Sequence, residues 1–137
     1  MATGLESAAM AGYTKTNLKG ADDVAAESGL DVEARIGRKH MDSEHLGVSY
    51  FRFGPGERAP YGHKHSVQEE AYVVVSGSGR MKLDDELIDL AQWDLIRVAP
   101  EVIRGIEGGP DGIELVIVGS DRPPDGDGEM VHDWWTD

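Results

Sequence analysis

The sequence predicts a single all-β domain, an antiparallel sandwich or barrel. Three observations carry this reading: short apolar stretches that alternate with polar residues, frequent glycine and proline turns between them, and a length of 137 residues, enough for one core and too short for two. Tyr13 to Leu18 alternates weakly and suits an edge strand. Ala21 to Gly29 carries acidic residues early and a glycine at its end, which predicts a short N-terminal helix with a glycine stop. From Leu30 the helical period is gone: Val32, Ala34 and Ile36 alternate with Asp31, Glu33 and Arg35 as in a half-buried strand. Leu46 to Phe53 follows the same pattern and ends at the turn Gly54-Pro55-Gly56. Ala71 to Val75 is the most apolar strand; Ser76-Gly77-Ser78-Gly79 is expected to turn it back into Arg80 to Leu83, and Asp84-Asp85 to form a tight hairpin into Glu86 to Leu90. Leu95 to Val98 is stopped by Pro100, and Ile103 to Glu107 is separated from Ile113 to Val118 by Gly108-Gly109-Pro110-Asp111-Gly112.

These elements divide the chain into a flexible extension over residues 1–12, a barrel over 13–120 and a tail over 121–137. The tail is rich in proline, glycine and aspartate until Val131-His132-Asp133-Trp134-Trp135. Two adjacent tryptophans predict that at least one docks on the barrel or on a partner chain.

Composition narrows the function. With 26 acidic against 13 basic residues, the formal net charge is −13, which argues against nucleic acid or anionic membrane as a partner. The absence of cysteine removes disulfides, thiolate ligands and thiol nucleophiles. The opening residues lack a basic start and an apolar core, and no apolar run is long enough to span a bilayer, so the expectation is a soluble, cytoplasmic protein. Neither a phosphate-binding glycine loop before a helix nor a Gly-x-Ser-x-Gly turn is present, which leaves nucleotide chemistry and serine hydrolysis unsupported.

The chemistry concentrates between Pro60 and Gly77. In an extended chain side chains repeat every second residue, so His63 and His65 point to one side and can offer two imidazoles to one cation. Gln68, Glu70, Tyr72 and Val74 share one face of the following strand, and Glu69, Ala71, Val73 and Val75 the other. With the first set inward, Glu70 becomes a third, anionic ligand. Two neutral imidazoles and a carboxylate suit a divalent transition metal such as iron, manganese, nickel or zinc. The competing reading is a pocket without metal in which the histidines only make hydrogen bonds. His40, His45 and His132 have no partners at useful spacing and are expected at the surface.

Gly56, His63, His65, Glu70 and Gly77 together resemble the first motif of the cupin superfamily, with one extra residue between Gly56 and His63. Glu70 rather than Glu69 fits, because it lies six residues before Gly77. Where the second motif would be stand Trp93-Asp94, five residues, Pro100 and then Glu101 to Gly105. Arg104 falls at or beside the place of the family's fourth ligand, a histidine, and arginine cannot ligate a metal. The resemblance runs from about residue 30 to residue 120 and is nearest to small single-domain bacterial cupins. It implies an antiparallel double-stranded β-helix, the jelly-roll barrel, with a metal on His63, His65 and Glu70. Cupins include oxygenases, isomerases, lyases and plain small-molecule binders, so the fold leaves the reaction open. Turned inward, Arg104 would grip a carboxylate or phosphate of a substrate; turned outward, it would pair with one of the many acids. Tyr72 and Gln68 share the inward face with Glu70 and can touch a ligand. The expectation is a metal-dependent enzyme of oxygenase or isomerase type acting on a small anionic metabolite, with a non-catalytic binding or sensing barrel as the alternative. A homodimer is expected, since cupins commonly pair through sheet edges.

Overall fold

The computed structural model describes residues 12–137, so all but the last residue of the expected N-terminal extension lies outside it. The chain forms strands β1 (Val32–Ile36), β2 (Gly47–Phe53), β3 (Gly62–His65), β4 (Glu70–Leu83), β5 (Glu86–Leu90), β6 (Leu95–Val98), β7 (Arg104–Gly119) and β8 (Gly128–Val131), with a single helical turn α1 (Arg38–Met41) between β1 and β2. All pairings are antiparallel. No helix among the described residues is long and apolar enough to cross a membrane.

The two long strands organise the barrel. β4 and β7 pair from Glu70 opposite Gly119 to Leu83 opposite Arg104, with register shifts between Val74 and Ser76 and between Gly77 and Gly79. Bulges of this kind bend a strand and increase its twist. The first half of β4 and the second half of β7 therefore belong to one layer, β1-β2-β7-β4-β6. Their other halves belong to the second layer, β8-β3-β7-β4-β5. Residues from both fill the core: Phe53, Tyr72, Val74, Val98, Ile113 and Leu115 from the first, Met81, Leu90 and Ile106 from the second.

Several expected elements differ. Ser76–Gly79 does not reverse the chain, and Gly108–Gly112 does not end a strand; both are bends within β4 and β7. Gly77 shows why: its φ is +76°, and a Cβ there would stand 2.2 Å from the Gly112 carbonyl oxygen, so the two strands can touch at the bend only with glycine in place. The helix expected over 21–29 is absent. Asp23 instead bridges to Arg35, and its carboxylate accepts hydrogen bonds from the backbone of Ala25 (3.0 Å) and Ala34 (2.9 Å), which ties the segment to β1 as a series of turns. The edge strand expected over 13–18 is absent too, and a single 3₁₀ turn at Leu18–Gly20, capped by Asn17, precedes these turns.

The tail from Asp121 adds β8 to the edge of β3 and closes on the barrel. The Trp134 ring lies against Gly62 and Gly105, where a Cβ would come within 2.8 Å and 3.2 Å of it. Trp135 Nε1 donates to the Ala59 carbonyl at 2.8 Å, and the Asp137 carboxylate meets Arg58 and Arg80.

Glu33 on β1 is clamped between Lys19 and Arg35. Hydrogen bonds from Lys19 first and Arg35 second hold its carboxyl down at about 2. Its folded pKa lies below the ordinary carboxylate value, so the stabilisation is present at neutral pH and is lost as pH falls from about 5 towards 2. Melting temperature is expected to fall through that window and to fall less steeply in Glu33→Gln, which differential scanning calorimetry against pH would check.

Candidate metal centre

β3 delivers the two histidines from alternate positions, His63 and His65, and their rings meet edge to face with centroids 5.2 Å apart. Glu70 opens β4, and its Oε1 lies 3.7 Å from His63 Nε2 and 3.5 Å from His65 Nε2. One donor atom from each of the three side chains lies within 4.8 Å of the others. Ligands about 2.1 Å from a tetrahedral ion stand about 3.4 Å from one another, so the two separations from Glu70 are close to those of atoms arranged around one cation.

A test of that fit lies in His65. Its Nδ1 is 2.9 Å from Asp127 Oδ1, while its Nε2 is buried without a hydrogen-bond partner and faces Glu70. A proton on Nδ1, shared with Asp127, leaves the Nε2 lone pair free for a metal. Burial lowers the pKa of His65, but Glu70 and Asp127 outweigh it and the net shift is upward. A metal therefore competes with a proton for Nε2, and affinity declines as pH falls.

The site lines a cavity of about 580 Å³ whose walls are the apolar inner faces of the first layer, including Val32, Ala34, Phe51 and Ile117. Tyr72, buried on the same face, donates from its hydroxyl to Glu70 Oε1 at 2.8 Å. Burial drives the Tyr72 pKa well above its ordinary value, so it stays a donor. Burial also raises Glu70, yet the facing imidazoles of His63 and His65 and the hydroxyl of Tyr72 prevail and keep it an anion far below the usual carboxylate range.

No family model matches the chain. Over 62 residues it is 34% identical to an uncharacterized protein of Methanocaldococcus jannaschii, a match covering 45% of this chain and only 49% of that relative. Among solved structures, a cupin protein from Bacteroides fragilis superposes with a TM-score of 0.65 at 22% identity, over 91% of this chain and 97% of that one. The polyketide cyclase RemF from Streptomyces resistomycificus gives 0.68 at 16% identity, over 90% and 87%. The chain has the cupin fold. At such identities the likeness fixes the architecture, and the chemistry rests on the residues of this chain itself.

Against that barrel the departure in the second motif acquires a geometry. Arg104 opens β7 directly opposite His63 and is turned inward, with 0% of its surface exposed. Its guanidinium donates to the carbonyls of Ala99 (3.2 Å), Pro100 (3.2 Å) and His63 (3.5 Å), and its Nε, which has no hydrogen-bond partner, stands 3.7 Å from Glu70 Oε1. The arginine thus spends its fork on the barrel's own backbone and turns its charge towards Glu70. Gln68 is buried as well, and its amide donates to the Ser120 carbonyl at 3.0 Å while its side chain lies against Gly119. His45 and His132 are exposed, whereas His40 is half-buried.

Asp127 is the residue that sequence reasoning missed. One oxygen holds His65; the other accepts the backbone N–H groups of Val67 and Gln68, both at 2.8 Å. Burial raises its pKa, but those two backbone bonds and His65 bring it down to about 2. It sits in a stretch of proline, glycine and aspartate that reads as an unstructured tail, and only the pairing of β8 with β3 brings it to the site. Partners that orient a ligating histidine are worth about 10–100-fold in metal affinity, and Asp127→Ala is expected to lose that much while keeping all three ligands. Zinc competition against a chromophoric chelator would measure it.

Proposed function

We propose that this cupin is a metal-dependent enzyme of the oxygenase or isomerase type acting on a small anionic metabolite, with His63, His65 and Glu70 holding a divalent iron, manganese, nickel or zinc ion. The observation that carries the reading is the buried, unpartnered Nε2 of His65 aimed at Glu70. A buried polar atom without a partner is costly, and a cation shared by these three groups satisfies it. Such a metal would supply Lewis acidity or, as iron, a binding place for dioxygen. The chain's own residues do the rest. Tyr72 holds Glu70 by a hydrogen bond, Arg104 places a positive charge beside it, Asp127 fixes His65, and the apolar walls offer room for the apolar part of a substrate. RemF, a polyketide cyclase, is one instance of an enzyme built in this fold.

Arg104 favours a second reading. A guanidinium 3.7 Å from Glu70 already supplies a positive charge to the carboxylate, so the barrel can bind and sense a ligand without turning it over. Screening protein loaded separately with each of the four metals for oxygen consumption and isomerisation, over a panel of small carboxylic acids, separates the two. Turnover that depends on one metal and vanishes in Glu70→Gln supports the enzyme; background rates in every combination contradict it.

A further inference from the structure

In a chain with twice as many acids as bases, the arginines sort themselves by partner. Arg35, Arg52, Arg58, Arg80, Arg97 and Arg104 each have a carboxylate within salt-bridge distance. Among the described residues, Arg38 and Arg122 have none, and both line the cavity that contains His63, His65 and Glu70. Arg38, half-buried, and Arg122, exposed, thus line the cavity without a carboxylate at salt-bridge distance, although Asp121 and Asp127 lie near enough to act on Arg38.

Arg38 is also held in place. It hangs from α1, its Nη2 donates to the carbonyls of Ser120 (2.7 Å) and Gly119 (3.4 Å), and its guanidinium rests against Gly47, where a Cβ would come within 2.6 Å of Nε. Gly47 and Gly119 face each other across the β2–β7 ladder, so the strands themselves leave the room that the guanidinium occupies. Burial first and the charge of Arg122 second depress the Arg38 pKa, against a smaller opposing pull from Asp121 and Asp127, so the two cations are close enough to repel. An anion between them relieves that repulsion and takes the donors that Arg38 has left. The cavity that this pair shares with the metal ligands has mostly apolar walls, with Gln68 as a polar neighbour that donates to the same Ser120 carbonyl as Arg38, and the exposed Val24, Leu30 and Met130 extend it outward.

We infer that Arg38 and Arg122 form an anion clamp in this cavity, so that the molecule it takes has an apolar body ending in a carboxylate. The clamp gives the substrate class for the enzyme proposed above and rests on that reading only for its use, since binding needs no metal. It moves the anion-binding role from Arg104, whose donors are engaged, to two arginines outside both cupin motifs.

Calorimetric titration of metal-free protein with octanoate and, as a neutral counterpart, octan-1-ol tests the inference. Wild type is expected to prefer octanoate, and the Arg38→Gln/Arg122→Gln pair to weaken octanoate by about tenfold to a hundredfold while changing octan-1-ol less than about twofold. Gly47→Ala, which keeps both charges but crowds the Arg38 guanidinium, is expected to weaken octanoate by a smaller factor and serves if the double variant does not fold. Equal binding of octanoate by wild type and variants, or no preference for octanoate over the alcohol, would overturn the clamp. Zinc content measured on the same preparations keeps the two claims apart: a chain that never holds metal but binds octanoate through the arginines removes the metalloenzyme and leaves the clamp standing.

Discussion

Arg104→Leu is expected to cost about 3–5 kcal/mol of folding stability, the range found when one partner of a buried charge pair is removed. Arg104 has 0% of its surface exposed, ties the carbonyls of Ala99, Pro100 and His63 together, and is, among the described residues, the only arginine or lysine within salt-bridge distance of Glu70. Leucine fills the space but leaves three carbonyls without their donor and Glu70 without its fixed positive neighbour. Urea denaturation should show a lower midpoint with an unchanged slope, since the folded surface is the same. The loss should shrink when zinc is present, because a divalent ion restores positive charge next to Glu70. A loss below about 1 kcal/mol, the value of an exposed ion pair, would mean that Arg104 is not the counter-ion described here.

Glu70→Gln acts on the opposite partner with a different signature. The amide keeps the shape and can still accept from Tyr72, but it removes the one anionic ligand of the proposed set. Metal affinity is expected to fall by more than about 100-fold, beyond the range for an orienting partner such as Asp127. Any metal-dependent turnover should disappear with it. The same change leaves Arg104 buried without a carboxylate, so the metal-free variant should also melt lower than wild type. A Glu70→Gln protein that binds zinc as wild type does would remove Glu70 from the site.

The comparison of sequence with structure shows where local pattern suffices. Period-two alternation placed β1, β2 and the inward face of β4, and with it Glu70 and Tyr72, because burial on one face of a strand leaves its mark on every second residue. The spacing of His63 and His65 was legible for the same reason. The bends in β4 and β7 were not, because glycine permits a reversal and a bulge equally and only the partner strand decides between them. Asp127, Arg38 and Arg122 were hidden for a related cause. Asp127 reaches His65 through the pairing of β8 with β3, and Arg38 reaches the cavity from one helical turn of four residues, too short to show a period. Arg104 lay between: its place beside the ligands was visible, and the engagement of its donors by Ala99, Pro100 and His63 was not.

Elemental analysis of untagged protein, purified alongside His63→Ala and reconstituted with iron, manganese, nickel and zinc in turn, addresses the metal centre itself. The geometry of His63, His65 and Glu70 predicts close to one ion per chain in wild type and almost none in the variant. Wild type that stays metal-free after every reconstitution would contradict it and leave Arg104 as the permanent cation of the site.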